Sequence, residues 1–140
     1  MPSTSDAPVL FHNTMRVREG HWADFRLAAE RAVRFTEEHA PQVMVEFFSD
    51  EENMRAHSFQ LYADSESIRT HWRISSDHIG GVMEHCSVER LDVYGRPDAG
   101  VAASLAAFGR DLPVSIHPRI AGFTRLGGAG WTEQGRPGPA

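Results

Sequence analysis

Histidine is the residue type in this chain that most clearly could do chemistry. The 140 residues include eight histidines, one cysteine and no lysine. His71, His78 and His85 recur every seven residues, which first suggests a metal site. Seven residues advance a straight helix by about 10 Å, whereas the ligands of one zinc ion lie within roughly 3–4 Å of one another. The spacing therefore predicts that these histidines do not share a metal.

The sequence offers little for nucleophilic or nucleotide-dependent catalysis. Cys86 follows His85, but neighbouring residues on a strand point apart, so a small buried cysteine is the simpler interpretation. No glycine-rich phosphate loop follows a predicted strand, and the absence of lysine excludes a Schiff-base mechanism. No cofactor is expected. Acid–base chemistry remains, for which histidine is suited because it titrates near neutral pH.

Asn13 is the most informative polar residue because it interrupts an apolar strand face. Residues 9–18 alternate, and Val9, Phe11, Met15 and Val17 share one face with Asn13. A buried amide without partners costs on the order of 1–3 kcal/mol. Asn13 therefore either satisfies a backbone group near a strand bulge or lines a pocket and binds a substrate oxygen.

The elements that position these residues follow a β-α-β-β-α-β order. Strands are predicted over 9–18, 42–49, 54–63 and 86–94, with a charged hairpin loop at 50–53. Helical periodicity covers 21–39 and a second stretch from Glu66 to about residue 85, capped by Asp64 or Ser65 and interrupted at 75–77. This order predicts an α+β, ferredoxin-like sandwich.

Residues 9–94 form the predicted domain, and the remainder is expected to extend it. Residues 1–8 and 127–140 are predicted to be flexible tails. Residues 95–126 contain a predicted helix over 101–108 and a strand, V-S-I-H, which pack on the same domain or on a dimer partner.

Composition excludes several classes of protein. The net charge is −5, and no lysine cluster is present, which argues against nucleic-acid binding. No apolar run is long enough to cross a membrane, and no signal peptide is visible. A lone cysteine fits a reducing compartment, so we expect a cytoplasmic protein.

The segment from Val9 to Tyr94 resembles the antibiotic biosynthesis monooxygenase superfamily. Asn13 and Gly20 precede the first predicted helix, and the third predicted strand and the second helix together carry a degenerate pattern of that superfamily. The positions that fit the pattern are Tyr62, Asp64, Ile68, His71, Ser75 and His78. Gln60 and Leu61 stand where members often have glutamate and tryptophan. The resemblance implies a dimeric α+β barrel, hence a homodimer, with a ligand cleft between the sheet and the helices of each protomer.

The resemblance implies a small enzyme acting on an aromatic, polyphenolic or polyketide-like substrate. We expect cofactor-independent oxygenation of a phenol to a quinone, with His71 or His78 as base and Asn13 as donor to the oxyanion. The residues expected to line the cleft are Trp72, His57, Phe59, Trp22 and Phe11. Alternatives are a polyketide cyclase or isomerase using the same cleft, a non-catalytic ligand-binding or stress protein, and a haem binder.

Overall fold

Five strands and four helices make up residues 8–125, the part of the chain that the computed structural model describes. The elements are β1 (Val9–Val17), α1 (Trp22–His39), β2 (Met44–Asp50), β3 (Arg55–Tyr62), α2 (Ser65–Ile74), α3 (Ser76–Met83), β4 (Cys86–Tyr94), α4 (Ala99–Phe108) and β5 (Val114–His117). A single 3₁₀ turn joins β2 to β3. The predicted C-terminal tail, 127–140, lies outside the described residues, as do residues 1–7 of the predicted N-terminal tail.

The strands form one sheet in the order β2-β3-β1-β4-β5, with β1 at its centre. β1 runs antiparallel to both β3 and β4, whereas β5 joins β4 in parallel. From β1 to β4 the order is the predicted βαββαβ arrangement, with its second helix divided into α2 and α3. The predicted α+β class is therefore confirmed.

The alternating apolar residues of β1 form the centre of the sheet face that packs against the helices. Val9, Phe11, Met15 and Val17 are buried beneath the helices, as expected for every second residue of a strand. Asn13 lies on the same face but is only half-buried. The register between β1 and β4 shifts just after it, between Thr14 and Met15.

The core consists of two separate clusters on either side of Asn13. The first joins Phe11 of β1 to Ile68 of α2 and Leu105 of α4, together with five other buried residues. The second joins Met15 of β1 to Phe25 of α1 and Val82 of α3. Burying one such side chain contributes about 1.5–3 kcal/mol. The gap between the clusters is where a cavity can form.

The helical stretch after β3 breaks at Ser75, close to the predicted interruption. Asp64 caps α2 by accepting a hydrogen bond from the Ser67 amide at 2.8 Å. α2 ends at Ile74 and α3 begins at Ser76. After the break, α3 packs against α1.

The C-terminal extension packs on its own domain. Asp98 caps α4 through the Val101 amide at 3.0 Å and accepts a hydrogen bond from Arg69 of α2 at 2.9 Å. β5 then pairs with β4, Leu91 lying opposite Val114, and covers that edge of the sheet. The strand is the predicted V-S-I-H segment, and it adds to the sheet of its own chain rather than to a partner's.

None of the helices between residues 8 and 125 combines the length and hydropathy that a membrane span requires.

Candidate active site

A cavity of about 470 Å³ lies between the sheet and the helices, in the gap between the two core clusters. This volume is typical of small-molecule sites, as is a largely apolar wall with a few polar groups. Phe11, Met15 and Leu91 of the sheet line it, and Val82 and Phe108 lie on the helical side. The polar lining residues are Asn13, Thr36, Ser58, Gln60, Tyr62, His71, Ser75, Ser76 and His78.

Asn13 reaches the cavity from the centre of the sheet. Its Nδ2 donates a hydrogen bond of 3.1 Å to Ser58 Oγ, on the β3 residue directly opposite. An asparagine amide has a second N–H and a carbonyl oxygen. The bond to Ser58 fixes the orientation of the amide and leaves this capacity for a ligand. The structure places Asn13 on the wall of a pocket, one residue from a register shift. Its amide bonds to the Ser58 side chain and not to a backbone group, so the geometry favours the pocket interpretation over the structural one.

A second polar group lies further along β3. The Tyr62 hydroxyl donates to Gln60 Oε1 at 2.7 Å, and Gln42 Nε2 donates to the same oxygen at 3.1 Å. Burial raises the pKa of Tyr62, so its hydroxyl stays protonated. Gln60 Oε1 thus accepts two hydrogen bonds, whereas the buried Gln42 Oε1 has no partner among the described residues.

His71 is the buried titratable group of the helical wall. His71 is only 6% exposed, and burial lowers its pKa from 6.5 to about 4. The imidazole is therefore neutral at neutral pH. Its Nδ1 is buried and has no hydrogen-bond partner among the described residues. A neutral, unpartnered imidazole on a cavity wall is suited to accept a proton or a hydrogen bond from a ligand.

Ser75 lies one helical turn after His71 and also lines the cavity. Its Oγ is buried without a partner within residues 8–125, and the residue is 1% exposed. Ser75 occupies the N-cap position of α3 but makes no side-chain capping bond. Sequence reasoning treated this serine only as a helix interruption and a motif position.

His78 borders the cavity from α3 in a different environment. Its ring stacks on Phe35 of α1, with centroids 4.3 Å apart and planes inclined by 27°. His78 is half-buried and belongs to an aromatic group that includes His39, whose ring centroid lies 4.9 Å from that of Phe35. His71 and His78 thus border one cavity, but His78 stacks on Phe35, whereas the His71 ring lies 6.0 Å from the Tyr62 ring and is inclined to it by 48°.

Three aromatic rings form one end of the cavity. Trp72 of α2 meets Phe11 of β1 edge-on at 6.4 Å and Phe108 of α4 at 5.6 Å between ring centroids. The structure places Trp72 and Phe11 where the sequence predicted them. Phe108 was not predicted, because it belongs to the extension, whose packing no local pattern reveals.

Three residues predicted to line the cleft lie elsewhere, and this expectation is corrected. His57 and Phe59 lie on the opposite face of the sheet, where His57 contacts His12 at 2.9 Å between ring nitrogens and Phe59 stacks on His12 at 4.3 Å. The reason is the two-residue alternation of β3, which turns Ser58, Gln60 and Tyr62 to the cavity instead.

Trp22 is the third, and it packs at the start of α1. Its ring meets Phe25 edge-on at 5.9 Å and lies against the second core cluster, outside the cavity lining.

His85 and Cys86 lie outside the cavity lining. His85 contacts His21 at 3.0 Å between Nδ1 atoms. Cys86 is buried, and burial raises its pKa to about 11, which leaves it a thiol. Within residues 8–125 no three histidine, cysteine or acidic side chains come close enough to hold a metal ion.

Comparison with known proteins relates this fold to solved structures. The sequence itself matches no family model and no curated protein. SnoaB, a cofactor-independent oxygenase from Streptomyces nogalater, superposes with a TM-score of 0.56 at 14% identity, over 66% of this chain and 96% of its own. A candidate antibiotic biosynthesis monooxygenase from Caulobacter crescentus gives 0.57 at 11% identity, over 68% and 94%. The chain has the fold of the antibiotic biosynthesis monooxygenases.

One structural neighbour shares more of the chain than these monooxygenase folds. MupZ from Pseudomonas fluorescens superposes with a TM-score of 0.71 at 15% identity, over 85% of this chain and 95% of its own. The β1–β4 unit, residues 9–94, is too short to account for 85% of the chain. The match therefore extends into the segment that contains α4 and β5.

The motif behind the sequence resemblance has a clear structural meaning. Tyr62, His71, Ser75 and His78 all border the cavity. The other two positions are structural, because Asp64 caps α2 and Ile68 is a fully buried core residue.

Proposed function

We propose that the protein is a cofactor-independent monooxygenase that oxidises a phenol of aromatic polyketide or polyphenol type to a quinone. The observation that carries this proposal is a largely apolar cavity in which a buried, neutral histidine faces an oriented amide across the space between helices and sheet. Such a cavity suits a flat, apolar substrate that bears few polar groups. The oxygenase activity of SnoaB, whose fold the chain shares, supports the same choice.

The proposed reaction needs little from the protein. A phenol and dioxygen give a quinone and water: one oxygen atom enters the ring and the other leaves as water. The ring supplies the electrons once its hydroxyl is deprotonated, because a phenolate reduces oxygen more readily than a phenol. The site must therefore take a proton, hold the developing charge and keep solvent away.

The described residues divide these tasks. His71 accepts the proton, and the resulting pair of imidazolium and phenolate is neutral overall, which offsets the cost of charging a buried ring. Asn13, oriented by Ser58, donates to a substrate oxygen. Trp72, Phe11 and Phe108 enclose the ring system. His78 is the second candidate base at the same cavity.

Oxygen uptake with a panel of naphthols and anthrones, together with quinone absorbance, tests this proposal. His71→Ala is expected to lower turnover about 10²- to 10⁴-fold, the usual contribution of a general base. His39→Ala, at the exposed end of α1, is the control and should leave turnover unchanged. Unchanged turnover after replacement of both His71 and His78 would refute the assigned chemistry.

A polyketide cyclase or isomerase is the second candidate for the same cavity. A neutral base opposite an amide donor is also what an aldol cyclisation requires, and that reaction consumes no oxygen. Assays under argon separate the two candidates: an oxygenase stops, whereas a cyclase continues at the same rate.

We also propose that the protein is a homodimer that works in the cytoplasm. The sheet face away from the helices carries Phe59, Tyr94 and Phe48, of which Phe48 is 54% exposed, and no element between residues 8 and 125 covers it. Light scattering is expected to give twice the monomer mass of 15.6 kDa. Phe48→Glu should yield monomers, whereas Leu27→Glu on exposed α1 should not; a monomeric unsubstituted protein would contradict the proposal.

A further inference from the structure

The junction between α2 and α3 forms part of the cavity wall. A helix leaves its first amides without acceptors inside the helix, and α3 is a new helix that begins at Ser76. The residue that would normally cap these amides is Ser75, but its side chain makes no capping bond. The first amides of α3 therefore have no acceptor within their own helix and lie beside a cavity that Ser75, Ser76 and His78 line.

Two unpartnered side-chain atoms lie at the same place. Ser75 Oγ and His71 Nδ1 are buried, and neither has a hydrogen-bond partner among residues 8–125. Buried polar atoms without partners are rare in folded proteins, and each calls for an explanation. Both belong to residues of the cavity wall and are one helical turn apart. A ligand oxygen at this point would satisfy the hydroxyl, the imidazole and the amides together.

We propose that the α2–α3 junction is an oxygen-binding subsite that holds the ionised hydroxyl of an aromatic ligand, a phenolate or an enolate. This inference deepens the proposed function and rests on it for the identity of the cavity's ligand. Ser75 Oγ–H donates to the oxygen, and the start of α3 contributes the positive end of its dipole. His71 takes the hydroxyl proton, so that one O–H bond breaks and one N–H bond forms.

The subsite is separate from Asn13. Asn13 projects from the sheet and is held by Ser58, whereas Ser75 and His71 belong to the helical wall opposite. A ligand that uses both walls carries two oxygen functions, one ionisable hydroxyl for the helices and one acceptor, such as a carbonyl, for Asn13. Hydroxylated aromatic ketones belong to this chemical class.

Binding of 4-nitro-1-naphthol tests the subsite without requiring turnover, because its phenolate absorbs at longer wavelength than its neutral form. Titration of the bound probe is expected to show at least a tenfold preference for the phenolate over the phenol. Ser75→Ala should reduce that preference about tenfold, which is typical for the loss of one hydrogen bond to a charged group. The same variant should melt no lower than the unsubstituted protein, because it removes a buried hydroxyl that has no partner.

Two controls locate the effect. Ser87→Ala changes an exposed serine of β4 outside the cavity lining and is expected to keep the preference for the phenolate. 1-Nitronaphthalene has nearly the same shape but lacks the hydroxyl, so it should bind equally to the unsubstituted protein and to Ser75→Ala.

An unchanged preference in Ser75→Ala, or no binding of the probe up to its solubility limit, would overturn the inference. A lower melting temperature in Ser75→Ala with an unchanged preference would show that the serine is structural. Failure of the proposed function looks different: the phenolate preference and its loss in Ser75→Ala would persist, but no phenol in the panel would support oxygen uptake.

Discussion

Replacing His71 with leucine is expected to remove part of the protein's sensitivity to acid. Burial holds the pKa of His71 at about 4, whereas an exposed histidine in the unfolded chain has a pKa near 6.5. Between these values the unfolded chain binds a proton that the folded protein does not. The free energy of unfolding therefore falls as the pH is lowered from 6.5 towards 4. The difference of about 2.5 between the two pKa values corresponds to a loss of at most about 3.4 kcal/mol.

Urea denaturation followed by tryptophan fluorescence at pH 7.0 and at pH 4.5 measures this loss. On going from pH 7.0 to pH 4.5, the unsubstituted protein is expected to lose about 2–3 kcal/mol more of its unfolding free energy than His71→Leu loses. At neutral pH the variant should be of similar stability, because leucine replaces an imidazole whose Nδ1 has no partner within the described chain.

Trp72→Phe is the matched control, because it changes the neighbouring cavity wall on α2 without altering any titratable group. It should keep the pH dependence of the unsubstituted protein. Parallel pH profiles for the unsubstituted protein and His71→Leu would refute the reasoning, since they would mean that His71 is as easily protonated in the folded state as in the unfolded chain.

The remaining predictions concern Asp92 of β4, two glycines and Phe108 of α4. Asp92→Asn should lower the free energy of unfolding by about 1 kcal/mol at pH 7. The Arg90 guanidinium holds the pKa of Asp92 at about 2, so the unsubstituted protein loses this contribution only as the pH falls from about 4 towards 2. Equal acid denaturation curves for the two proteins would contradict this prediction. Gly95 has φ +128°, and a Cβ there would lie 3.0 Å from a backbone oxygen, so Gly95→Ala should cost about 2 kcal/mol in thermal denaturation. Gly80→Ala, in an open position within α3, should instead stabilise by up to about 1 kcal/mol, and equal effects of the two alanines would be evidence against this strain. Phe108→Ala should lower stability by about 1–2 kcal/mol and weaken naphthol binding, because this partly exposed ring closes one end of the cavity; unchanged binding would show that the ring does not contact ligands.

Local patterns were sufficient to predict most of the fold. Strict alternation placed Asn13 among buried residues of β1, and β4 has the predicted bounds. The break near Ser75 followed from the weak helix formers at that point. These features depend on the alternation of apolar residues and on local helix propensity, both of which can be read directly from the sequence.

The choice of the cavity face on β3 could not be predicted in the same way. On most strands the more apolar face is buried, which favoured the face of His57 and Phe59. Here the cavity is lined by the polar face, because Ser58 partners Asn13 and Gln60 partners Tyr62. A functional cavity thus reverses the usual pattern, and only the pairing between β1 and β3 shows which face is which.

The central position of β1 has a consequence for synthesis on the ribosome. β1 is made first, but its two neighbours, β3 and β4, end at Tyr62 and Tyr94. At a translation rate of roughly 5–20 residues per second, about 4–16 s pass between the synthesis of β1 and that of β4, its second neighbour. β1 therefore has no sheet neighbour until β3 has been made, and one of its edges stays unpaired until β4 follows. Folding of the domain is largely deferred until β4 leaves the exit tunnel.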